Sequence, residues 1–121
     1  MIDRVRLTAS AKNQLIALKR KTGISHYNSL CRIALCVSLA SKGEPPFEDF
    51  DYSGGLEIDW RVFNGNNDEL YFNMLALDLV RRSLEVVEDN VKATLASHVH
   101  RGLSYLASKD ESELCRYLHF F

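Results

Sequence analysis

Three consecutive cations, Lys19-Arg20-Lys21, follow Lys12 at seven-residue spacing, and no other grouping in the chain is better suited to hold an anion. At about 100° per residue, Lys12 and Lys19 stack on one edge of a helix while Arg20 and Lys21 crowd its last turn. Cations at that end also complement the helix dipole, which by itself is an ordinary arrangement. Their setting carries more weight. Residues 1–42 hold eight bases (Arg4, Arg6, Lys12, Lys19, Arg20, Lys21, Arg32, Lys42) against one acid, Asp3, a balance of +7. Residues 43–121 hold seven bases against 15 acids, a balance of −8, so the formal net charge of −1 conceals two opposed portions. A basic portion with almost no acid to pair with points to phosphate contact, and the acidic remainder limits that contact to one side. Arg4 and Arg6, on the polar side of a short strand, are further candidates for contact with a nucleic acid.

Other chemistries find little support. Glu48, Asp49 and Asp51 lie in an exposed loop with no histidine at ligand spacing, which reads as solvated surface rather than a metal site. Glu57 and Asp59 fall on one strand face about 7 Å apart, a spacing open to two-carboxylate chemistry but equally to a solvated face. His98 and His100 diverge on a helix and cannot share a metal from it. Three cysteines (Cys31, Cys36, Cys115) without a CxxC spacing make neither a disulfide framework nor a zinc site and read as reduced thiols. No Ser/His/Asp or Cys/His set is recognisable, and GxxxxGK[ST] and GxGxxG are both missing. The expectation is therefore a binding protein, not an enzyme, with no cofactor and no metal.

These side chains need a frame. The length of 121 residues, with 46% hydrophobic and 26% charged, supports one domain with one modest core, 1–121. Arg4 to Thr8 reads as a strand with Val5 and Leu7 inward. A helix capped by Thr8 or Ser10 follows, with Ala11, Leu15 and Leu18 on its inner face and Gly23 as its stop. A second helix, from Ser25 or Asn28 to about Ser41, is apolar nearly all round; only Arg32 is charged. Such a helix must be surrounded, and in a chain this small a partner subunit is the expected cover. Gly43 and Pro45-Pro46 end it and open the loop FEDFDYSGG. Alternation from Leu56 to Phe63 predicts an extended segment, and NGNN at 64–67 a turn. Two helices then follow: one to about Val87 with Leu70, Met74, Leu77, Val80 and Leu84 in step, the other over 90–107 on Val91, Leu95, Val99, Leu103 and Leu106. Ser108 and Glu111 form a capping box for a last short helix ending in Phe120-Phe121. The fold expected is mainly α, with a little strand. No run of about 18 uncharged apolar residues is present, so no membrane span is predicted. The opening MIDRVRLTAS lacks an apolar signal segment, so the expected location is the cytoplasm.

Two resemblances sharpen this. The basic strand followed by two helices resembles the ribbon-helix-helix plan over the first third, in which a paired strand enters the major groove; Arg4 and Arg6 would then read base edges. LKRKTGI (18–24), NSLCRIALCVSL (28–39), SGGLEIDWRVFNG (53–65) and HRGLSYL (100–106), taken in order, resemble the DNA sulfur modification protein DndE family. The resemblance implies a place in the bacterial system that exchanges a non-bridging phosphate oxygen of DNA for sulfur, beside other proteins of that system. It further implies a homotetrameric, non-catalytic factor that binds duplex DNA and prefers nicked DNA. Its DNA contacts would map to Lys19, Arg20 and Lys21 and to Lys12. The alternatives are a ribbon-helix-helix-like regulator of the modification genes and a scaffold subunit that docks other modification proteins.

Overall fold

A computed structural model describes residues 2–45 and 47–118. The elements run β1 (Arg4–Leu7), α1 (Ala9–Thr22), α2 (Tyr27–Ala40), β2 (Leu56–Asp59), α3 (Trp60–Asn64), α4 (Asp68–Arg81), α5 (Glu88–Ala107) and α6 (Glu111–Leu118). The fold is mainly helical, with one small antiparallel sheet.

The strand-then-helix start follows from side-chain chemistry. Val5 and Leu7 are buried while Arg4 and Arg6 face out, as a two-residue period demands. The chain turns at Thr8, whose Oγ1 accepts the Ala11 N–H at 3.1 Å and so caps α1. Ala11, Leu15 and Leu18 are buried along its inner face. Gly23, at φ 75°, closes the helix in the left-handed conformation, and its N–H reaches the Lys19 carbonyl at 3.0 Å. β1 then pairs with β2 of the same chain, in the register Arg4↔Asp59, Val5↔Ile58, Arg6↔Glu57 and Leu7↔Leu56.

The 20-residue α5 is the central element, packed against α2, α1, α4 and β1. Its expected stripe, Val91, Leu95, Val99, Leu103 and Leu106, is buried throughout. At Gly102 it meets α2 so closely that a Cβ there would lie 1.9 Å from the Ala34 carbonyl oxygen; only glycine fits. Thus α2 is enclosed by α5, α3 and α1 of its own chain, with Leu30, Cys31, Ala34, Leu35 and Val37 buried. A partner subunit is not needed to cover it. Its one cation, Arg32, turns to the carbonyl oxygens of Phe63 (2.7 Å) and Val62 (3.4 Å) and so caps the end of α3.

Three local expectations need correcting. The extended segment ends at Asp59, not Phe63: Asp59 accepts the Arg61 N–H at 2.9 Å and starts α3, which brings Trp60 and Phe63 together in the core and leaves Val62 outside. α4 stops at Arg81, because Ser83 turns left-handed (φ 58°) and the Leu84 N–H closes back on the Leu79 carbonyl at 2.9 Å. Its buried side is Leu75, Asp78 and Leu79, and the stripe of Leu70, Leu77 and Val80 faces outward, with Leu77 69% exposed. Both sides of α4 are apolar, so spacing alone could not choose between them. The last capping box is Asp110 with Glu113, through N–H to carboxylate bonds of 2.8 and 3.3 Å, rather than Ser108 with Glu111. The expected end of α6 at Phe120-Phe121 lies outside the described residues.

Candidate functional site

The basic residues of the first third separate into two groups once folded. Arg4 and Arg6 point outward from β1, and their cross-strand neighbour Glu57 takes both, at 2.9 and 3.3 Å; Arg6 also lies over the Tyr52 ring at 4.8 Å. Cross-strand pairing has supplied them with a carboxylate, a fact invisible until β2 is known to lie beside β1.

On α1 the three adjacent cations diverge, as 100° steps require. Lys12 and Lys19 share one edge, and Lys19 Nζ lies 5.5 Å from the Tyr27 ring centre. Arg20 projects from the outer face. Lys21 turns the other way and donates to the carbonyl oxygens of Ala107 (3.4 Å) and Lys109 (3.2 Å) at the end of α5. Among the described residues Lys12, Lys19 and Arg20 enter no ion pair. The acids of the loop lie elsewhere. The Gly43 carbonyl is held by Arg101 at 3.0 Å and Glu44 by Arg82 at 3.2 Å, while Phe50 stacks on His100 with ring centres 4.2 Å apart. The aromatic side chains thus strap the loop across α5 and leave its carboxylates exposed. A cleft of about 760 Å³ lies between this strap and α1, with Ser10, Gln14 and Ser97 on one wall and Glu48 and Asp49 on the rim. Asp51 and Arg101 line it as well, and that guanidinium is already engaged by Ser38 and Gly43, so the three carboxylates disfavour a phosphate there.

A buried polar cluster that sequence reasoning missed joins α2, α4 and α5. His98 Nδ1 lies 2.8 Å from Ser38 Oγ, and its Nε2 lies 2.9 Å from Asp78 Oδ2. Thr94 Oγ1 donates to the same carboxylate oxygen at 3.0 Å, and Arg81 and Arg82 pair with Asp78 from its own helix. Arg101 donates from Nε to Ser38 Oγ at 2.8 Å. With Asp78 ionised, one proton arrangement satisfies the chain: Arg101 to Ser38, Ser38 to His98 Nδ1, His98 Nε2 to Asp78. Burial drives the His98 pKa down, against the opposing pull of Asp78. For Asp78, burial acts upward, but hydrogen bonds from His98, Arg81 and Thr94 outweigh it and bring the carboxyl to about 2. These are the residue types of a nucleophilic triad, yet Ser38 and His98 are each only 1% exposed, and the guanidinium of Arg101 covers the serine oxygen. The cluster reads as a joint between helices. Its one sequence signal is Thr94, His98 and Gly102 at four-residue spacing within the buried side of α5.

His100 does similar work nearby. Its Nε2 accepts the Thr8 N–H at 3.2 Å and its Nδ1 donates to the Ala96 carbonyl at 2.7 Å, which fixes the neutral imidazole against the start of α1. Cys31 is buried, and burial pushes its thiol up to about 12, out of reach of ready ionisation. Among the described residues no group of three His, Cys, Asp or Glu could hold a metal ion, and no helix is long and apolar enough to cross a membrane.

Comparison with known proteins places this geometry. The sequence model of the DNA sulphur modification protein DndE matches residues 4–113, nearly the whole chain. The chain belongs to the DndE family. That family takes part in DNA phosphorothioation. The crystal structure of DndE from Escherichia coli B7A, involved in DNA phosphorothioation modification, is similar to this chain with a TM-score of 0.68 at 25% identity. The match covers 90% of this chain and 99% of that one. A glycine-to-lysine mutant of DndE superimposes equally well, with a TM-score of 0.68 at 21% identity over 87% and 97% of the two chains, and shows the shared fold. No protein of curated function gives a match. As a DndE family member, this chain has its place among the proteins of the phosphorothioation system.

Proposed function

We propose that this chain is a non-catalytic DNA-binding subunit of the phosphorothioation machinery. It holds the phosphate backbone of duplex DNA through Lys12, Lys19 and Arg20, prefers nicked DNA, and acts as a homotetramer beside other proteins of the system. The observation that carries the reading is that those three cations enter no ion pair among the described residues, against the carboxylate partners found for Arg4, Arg6, Arg81, Arg82 and Lys92. Lysine is a flexible point charge suited to phosphates and poor at reading bases, so the contact is backbone contact. An interrupted strand bends at lower cost than a continuous one, which favours a nick.

A few cations per subunit bind DNA weakly, and self-assembly multiplies them. The support for an oligomer comes from α4 rather than α2: Leu70, Leu77 and Val80, each more than half exposed, line one outward side of that helix. A second copy is the natural occupant of this stripe.

Gel-shift titration of intact and nicked duplexes across salt tests the proposal. Wild-type affinity should fall linearly on a log–log plot. A Lys12/Lys19/Arg20→Ala variant should lower the slope by roughly 0.9 for each phosphate that a subunit no longer neutralises. Binding that ignores salt, or a triple variant that binds like wild type, would refute it.

A further inference from the structure

The corner where α1, α5 and α6 end holds an aromatic pair. Lys21 bolts the end of α1 to the carbonyls of Ala107 and Lys109. Half a turn before the first of these stands Tyr105, 44% exposed. Its ring meets Tyr117 of α6 edge to face, with centroids 6.0 Å apart and planes at 65°. Lys109 Nζ lies 4.6 Å from the Tyr105 centroid and 5.3 Å from that of Tyr117. Arg116 borders the same shallow hollow as Lys109 and Tyr117. Two rings, two cations and a helix end tied down by a third cation therefore converge on one exposed corner.

A paired duplex hides the faces of its bases in the stack and offers only edges and phosphates. Where a strand is cut or frayed, a base can leave the stack and present its face. Aromatic rings beside cations are the usual means of holding such a base without regard to its identity, since every base has a π face and a phosphate beside it. We propose that Tyr105, framed by Tyr117 and Lys109, is a stacking platform for an unstacked nucleobase of DNA at a strand interruption or end. The proposal rests on the reading of α1 as the backbone contact and adds what that contact lacks, an attraction present only where a base is free. Lys109 and Arg116 are placed to meet the phosphate next to the stacked base. Glu113, the acid in the hollow, is engaged with the Asp110 N–H in the cap of α6.

The test is fluorescence anisotropy with one sequence as intact duplex, nicked duplex and single strand. A 2-aminopurine beside the nick reports stacking by quenching. Wild-type protein should favour the nicked form and quench the probe. Tyr105→Ala should lower the nicked-to-intact affinity ratio by roughly tenfold and abolish the quenching, and Tyr105→Trp should keep both. An unchanged ratio in Tyr105→Ala, or wild-type binding without quenching, overturns the platform. The quenching measurement needs no variant and decides even if Tyr105→Ala does not fold. Wild-type protein that binds none of the three DNAs overturns the platform and the backbone reading together. Equal wild-type binding of nicked and intact duplex overturns the platform and the preference for a nick, and leaves the backbone contact of α1 standing.

Discussion

The interior where α2, α4 and α5 meet and the outer edge of α1 use charged side chains in opposite ways. Inside, Asp78 is 4% exposed and satisfied from several directions by His98, Thr94, Arg81 and Arg82. Each group there would be costly alone, and the arrangement holds only because each has a partner. On α1, Lys19 and Arg20 are exposed and Lys12 half-buried, and none of the three meets a carboxylate among the described residues. Little folding energy rests on them, so they are free to serve a ligand. Burial and pairing separate the charges that build this protein from those left to act.

Three measurements can break or sharpen that division. The largest effect should come from Asp78→Ala, which leaves Arg82, whose side chain is 8% exposed, with Glu44 as its one remaining carboxylate among the described residues and removes the acceptor of His98. Removing one partner of a buried charged set costs about 3–5 kcal/mol. Denaturant unfolding should show a loss of that size, and a loss under about 1 kcal/mol would mean that the cluster does not join the helices.

The second effect depends on pH. Burial lowers the His98 and His100 pKa values, so the folded chain refuses protons that an unfolded imidazole accepts at about pH 6.5. Stability from these two groups is complete above that pH and is lost as the pH falls toward the lowered folded values. The Asp78 contribution is full above its ordinary pKa of about 3.9 and goes as the pH drops toward about 2. Thermal melts should therefore show Tm falling below about pH 6.5 in wild type, and less steeply in His98→Gln. Equal pH slopes in the two proteins would detach His98 from the joint.

The smallest effect belongs to Arg4→Ala and Arg6→Ala. Their side chains are 59% and 55% exposed, and such pairs contribute under about 1 kcal/mol. Melts should barely move. A large loss in either variant would mean that a paired surface cation can carry the fold after all.

How far the sequence reveals this division depends on the range of each signal. The inner face of α1 and the whole stripe of α5 are legible, because one side of each helix is apolar and the other is not. The inner side of α4 is not: Leu75 and Leu79 compete with Leu70 and Leu77 at the same spacing, and only packing against α5 decides. Enclosure of α2 within its own chain is hidden for a related reason, since the cover that Gly102 of α5 gives to Ala34 arrives from 68 residues away in the chain. The cations of α1 are legible as a group and not in their directions. Lys21 meets carbonyls on α5, and Arg4 and Arg6 meet Glu57, at separations that no local pattern encodes. The Ser38, His98 and Asp78 cluster leaves in α5 only Thr94 and His98, two polar residues four apart on its buried side.

Lys21 also changes how the basic run should be counted. Its ammonium is committed to peptide oxygens of the longest helix, so a tally of positive letters overstates by one the counterions that a bound polyanion can displace. The same two bonds tie the last turn of α1 to the end of α5.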